Sequence, residues 1–387
     1  MELPLYEMRK FVAPEVVFGI GALSLTGAYA KNLGAKKVLI VTDEGVMRAG
    51  WTEKVVRSIA AEDLAYTVYS GVTPNPRAEE VMEGALHYQK ERCDAIVAIG
   101  GGSPVDCAKG IGTVASNGGN ILQYEGVDRI TKPIPPLICI PTTAGAAADV
   151  SQFAIISDMA RKLKIALISK TLVPDLALID PETTTTMPKE LTACTGLDTL
   201  THAVEAFVSN ASFNLTDLYA LDAIRLVFDN LLHAIEEPHN LEYRTAMTLA
   251  CLEAGLAFSN ASLGAVHAMA HSLGGLLDLP HGACNAMLLE WVIDFNFPHA
   301  AERYCRIGRA IGLDVHAGDG DTAKKKLIDA VHELRTEAGT GRSIGSLGVC
   351  ADYIIDLARN AVADPCMVTN PAASTRKDIE GIYERAL

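Results

Sequence analysis

The first half of the chain alternates short apolar runs with amphipathic stretches. The apolar runs are rich in β-branched side chains and bounded by turn residues, which is the pattern of buried strands. They lie at residues 38–42, 66–70, 95–99, 137–140 and 176–180. Amphipathic segments such as 51–61 and 78–92 lie between them. Strand, helix and strand at this spacing predict a mostly parallel sheet covered by helices on both faces.

The pattern changes along the chain. Two apolar runs at 153–157 and 165–169, separated by a polar turn, predict a hairpin appended to the sheet. Beyond about residue 188 long helical periods dominate, at 191–208, 215–235, 243–259, 283–295, 300–311, 321–338 and 351–361. We therefore expect an α/β domain over 1–185 and an all-helical domain over 186–387, with a ligand cleft between them.

Charge and composition exclude several classes of partner. Of 387 residues, 49% are hydrophobic and 21% charged, which suffices for a sizeable core. The net charge is −14, from 33 basic and 47 acidic residues. A surface that binds polyanions needs the opposite sign, so we expect neither nucleic acid nor an anionic membrane as a partner.

Other features favour a cytoplasmic location. The cysteines number nine, an odd count, and are never spaced Cys-x-x-Cys, which fits free thiols in a reducing compartment. Residues 1–7 lack the basic-then-apolar pattern of a secretory signal. The longest apolar region, 246–277, is interrupted by polar side chains, and we do not expect it to span a membrane.

A glycine-rich turn follows the predicted strand at 95–99. Gly100, Gly101 and Gly102 precede Ser103 and Pro104, and proline suits the start of a helix. Glycines allow the backbone to approach a diphosphate, and the helix start supplies unpaired N–H donors. The same residues also fit a tight strand-to-helix turn with no ligand.

Polar residues follow two other predicted strands. Asp43 can accept the hydroxyls of an adenosine ribose, or it can cap the next helix. It precedes the glycines, whereas in the ordinary dinucleotide fingerprint the acid follows them by about 20 residues, so a site that uses both needs an unusual strand order. Thr142 and Thr143 begin a run of small residues, which fits either a ligand contact or a helix start.

Histidines and an acid recur at helical spacing in the second half. Asp198 and His202 are four residues apart and therefore project from one helix face. His267 and His271 have the same spacing, and His281 follows in a Pro-His-Gly turn. One buried histidine is usually a satisfied core residue, but a carboxylate with several imidazoles and no thiolate suits Fe(II), Zn or Mn. The spacing does not choose the metal.

Taken together, these motifs resemble the iron-containing (group III) alcohol dehydrogenases over essentially the whole chain. The resembling segments are 18–22, 41–43, 74–76, 100–106, 141–145, 195–205, 267–275, 280–282 and 369–371. The resemblance implies a dehydroquinate synthase-like architecture with the active site in the interdomain cleft. It also implies hydride transfer between NAD and a small primary alcohol or its aldehyde, Fe(II) with zinc as the alternative metal, and a homodimer or larger homo-oligomer.

The resemblance further implies roles for individual residues. The implied metal ligands are Asp198, His202, His267 and His281. The implied cofactor contacts are Asp43, Gly101, Gly102, Ser103, Asp106, Thr142, Thr143, Ser151 and Lys164. Phe153 and Phe258 occupy positions that flank the substrate pocket in relatives. His271 stands where the family has a non-ligand histidine near the nicotinamide, and we expect it to relay a proton.

Departures from the family keep other functions open. Ala146 stands where relatives commonly have Thr, and the lost hydroxyl corresponds to a hydrogen bond of about 1 kcal/mol to the cofactor. One alternative is a hydroxyacid–oxoacid transhydrogenase, in which the cofactor stays bound during turnover. Another is a dehydrogenase-like protein that senses or regulates; the intact ligand positions argue against it, and the alanines at 146–148 leave it open.

Overall fold

The computed structural model describes residues 9–387, so the residues examined for a secretory signal lie outside the described range. The strands are β1 (Glu15–Phe18), β2 (Lys37–Val41), β3 (Ala65–Tyr69), β4 (Ala95–Gly100), β5 (Gly126–Val127), β6 (Leu137–Pro141), β7 (Phe153–Asp158), β8 (Leu163–Ile168) and β9 (Leu176–Ile179). The helices among them are α1 (Thr26–Asn32), α2 (Glu44–Arg48), α3 (Trp51–Ala61), α4 (Ala78–Glu91) and α5 (Gly102–Asn117).

Six of these strands form one parallel sheet in the order β1-β9-β6-β4-β2-β3. Successive residues of β2 alternate between its two faces: Val38 and Ile40 pack with α1 and α3, while Leu39 and Val41 pack with α4 and α5. Burial on both faces explains why these strands are continuous apolar runs. The predicted α/β class, with a mostly parallel sheet, is confirmed.

The strand order explains why Asp43 precedes the glycines in sequence. β2 pairs with β3 on one side and with β4 on the other, so strand addition reverses direction at β2. Ligands in such sheets bind outside the carboxyl ends of the strands at this reversal. Val41 pairs with Ala98, and Gly100 pairs with Pro141. Asp43, the glycine turn and Thr142 therefore follow strands that end at one edge, which we call the cofactor edge.

The predicted hairpin exists, but its predicted attachment to the main sheet is wrong. β7 and β8 pair antiparallel, and β8 pairs with the two-residue β5 in a separate three-stranded sheet. The start of β7 is held by α5 instead: the buried Lys109 ammonium donates to the carbonyls of Ser151 (2.8 Å) and Phe153 (2.7 Å). These bonds tie the backbone at the start of β7 to α5.

From residue 189 to 387 all regular elements are helices. The main ones are α6 (Lys189–Val208), α7 (Asn214–Glu236), α8 (Leu241–Ala261), α9 (Ala265–Leu277), α10 (His281–Asn296), α11 (Ala301–Ala310), α12 (Asp321–Glu337), α13 (Ile354–Ala363) and α14 (Arg376–Ala386). The predicted helical second half is confirmed, while the domain boundary at 185 stays a prediction. Between residues 9 and 387 no single helix is long and apolar enough to cross a membrane; α8 and α9 together reach that length and composition, but a 98° bend separates them.

Candidate active site

Three helices bring a carboxylate and two imidazoles together. Asp198 lies in the middle of α6, His267 in the first turn of α9, and His281 at the start of α10. One donor atom from each lies within 4.8 Å of the others. Asp198 Oδ1 is 3.8 Å from His267 Nε2 and 3.9 Å from His281 Nε2. We call these three residues the donor cluster, and its atoms suit a divalent metal.

His202 lies beside the donor cluster, but it is not among the residues whose donor atoms lie within 4.8 Å of one another. Its ring stacks on His267, with centroids 4.4 Å apart, and on Phe258 at 4.3 Å. Its Nδ1 is buried and has no hydrogen-bond partner within residues 9–387. The structure therefore brings three of the four predicted ligands together and leaves the fourth in ring contact with one of them, His267.

Burial keeps these imidazoles neutral. It lowers the pKa of His202 to about 4 and the pKa of His267 to about 3. The pKa of His281 also falls well below its ordinary value, again because burial disfavours the charged ring. A neutral imidazole has a free lone pair, which is the form that binds a metal.

Glu205, about two turns beyond Asp198 on α6, fixes the start of α9. Its carboxylate accepts from the backbone N–H groups of Gly264 (3.0 Å) and Val266 (2.6 Å), and from His267 Nδ1 at 2.7 Å. With Nδ1 bound to the carboxylate, Nε2 of His267 carries the lone pair that faces Asp198. Burial raises the pKa of Glu205 to about 7, against the lowering effect of its backbone donors.

The segment 369–371 supports the same helix start. The Asn370 side chain accepts from the backbone N–H of Ala265 at 3.1 Å and exchanges two hydrogen bonds of 2.8 Å with Asn296. A Cβ at Gly264 would lie 2.9 Å from both Glu205 Oε1 and Asn370 Oδ1. Only glycine allows both side chains this close to the backbone that positions His267.

Asn285 also reaches the donor cluster, and neither it nor Glu205 was among the predicted site residues. Asn285 lies four residues after His281 on α10, and its side chain contacts Asp198, His267 and His281. Both residues stand at helical spacing from a predicted ligand, and that spacing is the signal that could have identified them.

His271 lies one helical turn after His267 and is held by an acid. Its Nδ1 is 2.9 Å from Asp364 Oδ2, and Asp364 Oδ1 accepts the backbone N–H of Cys366 at 2.8 Å. The His271 ring stacks on His281, with centroids 5.3 Å apart. A proton shared with Asp364 at Nδ1 leaves Nε2 available as an acceptor.

The glycine turn brings two loops into contact at the cofactor edge. A Cβ at Gly100, whose φ is 152°, would lie 2.5 Å from the Pro104 ring, and one at Gly102 would lie 2.8 Å from Ala146 Cβ. α5 begins at Gly102 after Gly101, which has no side chain to cap it. The first N–H groups of α5 are therefore available to an anion, and half-buried Ser103 lies among them.

The loop at 142–148 connects the glycine turn to α6. The Thr142 N–H donates to Gly100 O at 2.9 Å, and Thr143 lies against Gly101. The Ala144 carbonyl accepts from the Thr199 hydroxyl of α6 at 3.2 Å. The cofactor edge and α6, which carries Asp198 and His202, are thus joined by one short loop.

Three predicted cofactor residues make contacts within the protein. Asp43 Oδ1 accepts the Val46 N–H at 2.9 Å and so caps α2. Asp106 Oδ2 accepts the Ile155 N–H at 3.2 Å, and burial raises its pKa to about 6. Ser151 is buried, with its hydroxyl 3.4 Å from Lys109 Nζ. Their contacts with a cofactor stay predictions.

Lys164 bridges β8 and the end of α9. Its ammonium donates to Asn75 Oδ1 at 2.7 Å, and Asn75 in turn donates to Asp278 Oδ1 at 2.8 Å. A Cβ at Gly274 would lie 2.8 Å from Lys164 Nζ, so glycine makes room for the ammonium. Burial lowers the pKa of Lys164.

The two predicted pocket residues lie on the His202 side of the donor cluster. The Phe153 and Phe258 rings are 5.8 Å apart, and Phe258 continues the stack to His202. Both phenylalanines are buried. They form an apolar wall next to the donors.

Comparison with known proteins gives a consistent result. Residues 13–181 match the family model of iron-containing alcohol dehydrogenase, and residues 192–387 match the C-terminal model of the Fe-containing alcohol dehydrogenase family. Alcohol dehydrogenase 4 of Schizosaccharomyces pombe is 42% identical over 96% of this chain and 87% of its own length. The NAD-dependent methanol dehydrogenase of Bacillus methanolicus is 38% identical over 97% of this chain and 99% of its own.

Solved structures agree with the sequence matches. A 1,3-propanediol oxidoreductase superimposes with a TM-score of 0.95 and 37% identity, covering 98% of this chain and all of its own. The resemblance inferred from the motifs is thereby confirmed. The chain belongs to the iron-containing alcohol dehydrogenase family, and it is an oxidoreductase that interconverts alcohols and aldehydes.

Proposed function

We propose that this enzyme transfers a hydride between NAD and a small primary alcohol or its aldehyde. Asp198, His202, His267 and His281 hold the metal, Fe(II) or, as the alternative, Zn. The observation that carries the proposal is the donor cluster of α6, α9 and α10, joined by a single short loop to a glycine turn with uncapped N–H groups. The chemistry therefore lies where the two halves of the chain meet.

The donor set fits a divalent first-row cation. It consists of a buried carboxylate and neutral imidazoles without a thiolate. The buried Nδ1 of His202, unpaired within residues 9–387, shows that the internal hydrogen bonds do not satisfy every polar atom here. Asn285 donates among the three acceptors, which further indicates a point where positive charge is favoured.

The cofactor edge fits the diphosphate of a dinucleotide. Gly101 and Gly102 have no Cβ that would keep a diphosphate away from the backbone. The N-terminus of α5 offers backbone N–H groups that no side chain caps. The Bacillus methanolicus relative, which is NAD-dependent by name, supports NAD as the cofactor. Asp43 Oδ2 makes no hydrogen bond within residues 9–387 and is available to the ribose hydroxyls, where its charge disfavours a 2′-phosphate.

When bound, the metal supplies Lewis-acid stabilisation of the substrate oxygen, and NAD accepts or returns the hydride. The protein orients both. Glu205 holds His267 in the tautomer that faces Asp198. Phe153 and Phe258 keep water from one side of the donors. His271, held through Nδ1 by Asp364, takes up the hydroxyl proton at Nε2 by way of water or the ribose hydroxyl.

The proton-relay role of His271 is tested by His271→Ala. We expect turnover to fall about 100-fold, because general acid–base catalysis contributes at least that factor, and the pH profile of kcat to change shape. His239→Ala, at an exposed histidine between α7 and α8, is the control and should leave both unchanged. Unchanged turnover and an unchanged profile in His271→Ala would rule out the relay.

The activity itself is tested with enzyme loaded anaerobically with Fe(II) or Zn(II) and assayed on a panel of primary alcohols with NAD. We expect release of free NADH with at least one small alcohol. Reduction of an added oxoacid without release of NADH would favour the transhydrogenase, and absence of both reactions would contradict the proposal. A homo-oligomeric state and a cytoplasmic location remain predictions that the same preparation and cell fractionation can test.

A further inference from the structure

Asn285 lies where the donor atoms converge, although the family resemblance assigns it no role. Its side chain is fully buried on α10, on the same helix face as His281. Nδ2 is 2.6 Å from Asp198 Oδ1, 3.1 Å from His267 Nε2 and 3.2 Å from His281 Nε2. One amide group thus contacts all three members of the donor cluster.

Asp198 Oδ1 is a hydrogen-bond acceptor, and His267 Nε2 is one because its Nδ1 bonds to Glu205. His281 Nε2 is the third acceptor in the tautomer whose proton lies on Nδ1. A carboxylate and two neutral imidazoles direct lone pairs toward a common point, and their mutual repulsion is strong where water is excluded. An amide nitrogen offers two hydrogens, so the carboxylate can take one and the two imidazoles share the other. Asn285 therefore offsets part of the negative potential that a cation would offset in full.

The oxygen of the Asn285 amide bears on which way round the amide group lies. Asn285 Oδ1 is buried and has no partner within residues 9–387. An unpaired buried acceptor costs about 1–3 kcal/mol. Rotating the amide by half a turn would direct this oxygen at three acceptors. One unpaired oxygen costs less than an oxygen facing three acceptors, so the orientation with the N–H groups toward the donor cluster is the favourable one.

We infer that Asn285 is a positioning residue of the metal centre, which holds Asp198, His267 and His281 in their converging arrangement before the metal binds. The inference rests on the proposed metal site. Glu205 acts on His267 from the Nδ1 side, whereas Asn285 acts where the lone pairs meet. Because the three ligands already converge, metal binding requires only the amide group to move, and not three side chains. The affinity for the metal is therefore higher than it would be without Asn285.

Two variants separate hydrogen-bond donation from packing. Asn285→Leu keeps the branched shape of the side chain, with somewhat larger methyl groups, and removes both N–H groups. Asn285→Ala leaves space for a water molecule, which can donate in place of the amide. We expect Leu to weaken binding about 10–100-fold, as is typical for the partners of metal ligands, and Ala to weaken it less, about threefold to tenfold. A packing role predicts the opposite order, because Ala leaves a cavity that Leu fills.

The measurement is the affinity of the metal-free protein for Co(II), followed by visible absorption in competition with a chelator, together with the unfolding temperature of the metal-free protein. Asn230→Leu is the matched control, since the Asn230 side chain on α7 donates to Leu226 O at 2.8 Å, away from the donor cluster. We expect Asn230→Leu to keep wild-type affinity for Co(II).

Asp198→Ala distinguishes failure of the inference from failure of the proposed site. Wild-type Co(II) affinity in Asp198→Ala would overturn the metal site itself. Loss of Co(II) in Asp198→Ala with wild-type affinity in Asn285→Leu would overturn only the role of Asn285, as would weaker binding in Ala than in Leu. If Asn285→Leu does not fold, Asn285→Ala decides alone, and an unchanged affinity there overturns the inference.

Discussion

The proposed metal centre and the cofactor edge are built in opposite ways. At the metal centre the chemistry lies in buried side chains from α6, α9 and α10, and other side chains such as Glu205 and Asn370 hold them in place. At the cofactor edge the important groups are backbone N–H groups and the absence of side chains at Gly101 and Gly102. The metal centre therefore depends on the donor atoms of its side chains, whereas the cofactor edge depends on the space that its glycines leave open.

This difference predicts how each region fails. Truncation of a side chain removes a donor from the metal centre but leaves the shape of the cofactor edge intact. Addition of a methyl group obstructs the cofactor edge but leaves every metal donor in place. Substitutions of the two kinds should therefore separate metal content from NAD affinity.

The largest effect is expected for Asp198→Ala. The variant loses the only carboxylate of the donor cluster, so we expect it to lose its metal and at least about 10³-fold in kcat/KM, since a metal supplies several kcal/mol of transition-state stabilisation. NAD affinity should remain at the wild-type value, because the cofactor edge is unchanged. Metal analysis, steady-state kinetics and titration of NAD fluorescence quenching measure the three quantities.

The control for Asp198→Ala is Asp229→Ala, at an exposed aspartate of α7 whose partner is Arg225 at 3.2 Å. We expect it to keep both metal and turnover. Full metal content in Asp198→Ala would contradict the assignment of the metal centre. Loss of NAD affinity along with the metal would contradict the independence of the two regions.

The parallel sheet could be predicted almost completely from the sequence. β2, β3, β4, β6 and β9 lie within one residue of the predicted ends, because strands buried on both faces are continuous apolar runs. β1 was not predicted: its four residues lie at the edge of the sheet, and both its ends are exposed. In the separate sheet of β5, β7 and β8, the start of β7 is held by the buried Lys109 of α5, a tertiary contact that local pattern does not contain.

The candidate site was predictable where its signal is local. Asp198, His202, His267 and His271 stand at the four-residue spacing of a helix, and histidines are rare enough for that spacing to attract attention. Glu205 and Asn285 have residue types common in any helix. Their importance comes from partners 62 and 87 residues away, through the packing of α6 against α9 and α10. The sequence does not specify that convergence locally.

An intermediate effect is expected for Gly102→Ala at the cofactor edge. The new methyl group would lie 2.8 Å from Ala146 Cβ, so the turn must shift away from the position that admits a diphosphate. We expect NAD affinity to fall about 10–100-fold, corresponding to about 1–3 kcal/mol of overpacking, with metal content unchanged. Titration of NAD binding and metal analysis of the same preparation test this.

Two controls accompany Gly102→Ala. Gly381→Ala adds a methyl group to α14 where, apart from the backbone of the helix itself and the adjacent residues, no described atom lies within 4 Å, and should leave NAD affinity unchanged. The double variant Gly102→Ala with Ala146→Gly removes the close contact and should recover most of the lost affinity. A double variant no better than the single one would show that the Ala146 contact is not the cause.

The smallest effect is expected for Asp43, because its carboxylate already has a structural partner. Asn is as good a helix cap as Asp, so Asp43→Asn should keep the hydrogen bond to Val46 and the stability of the fold, while it loses the negative charge. We expect its preference for NAD over NADP to fall about tenfold, since a hydrogen bond to a charged group contributes about 1.5 kcal/mol or more.

Asp43→Ala should lose the same preference and, in addition, about 1 kcal/mol of stability from the missing cap. The ratio of kcat/KM for the two cofactors, measured beside the free energy of unfolding, therefore separates the two roles of one carboxylate. If both variants retain the wild-type cofactor ratio and only Asp43→Ala is destabilised, Asp43 is a helix cap alone. The cofactor edge would then bind its ligand entirely through backbone groups, whereas the metal centre binds through side chains alone.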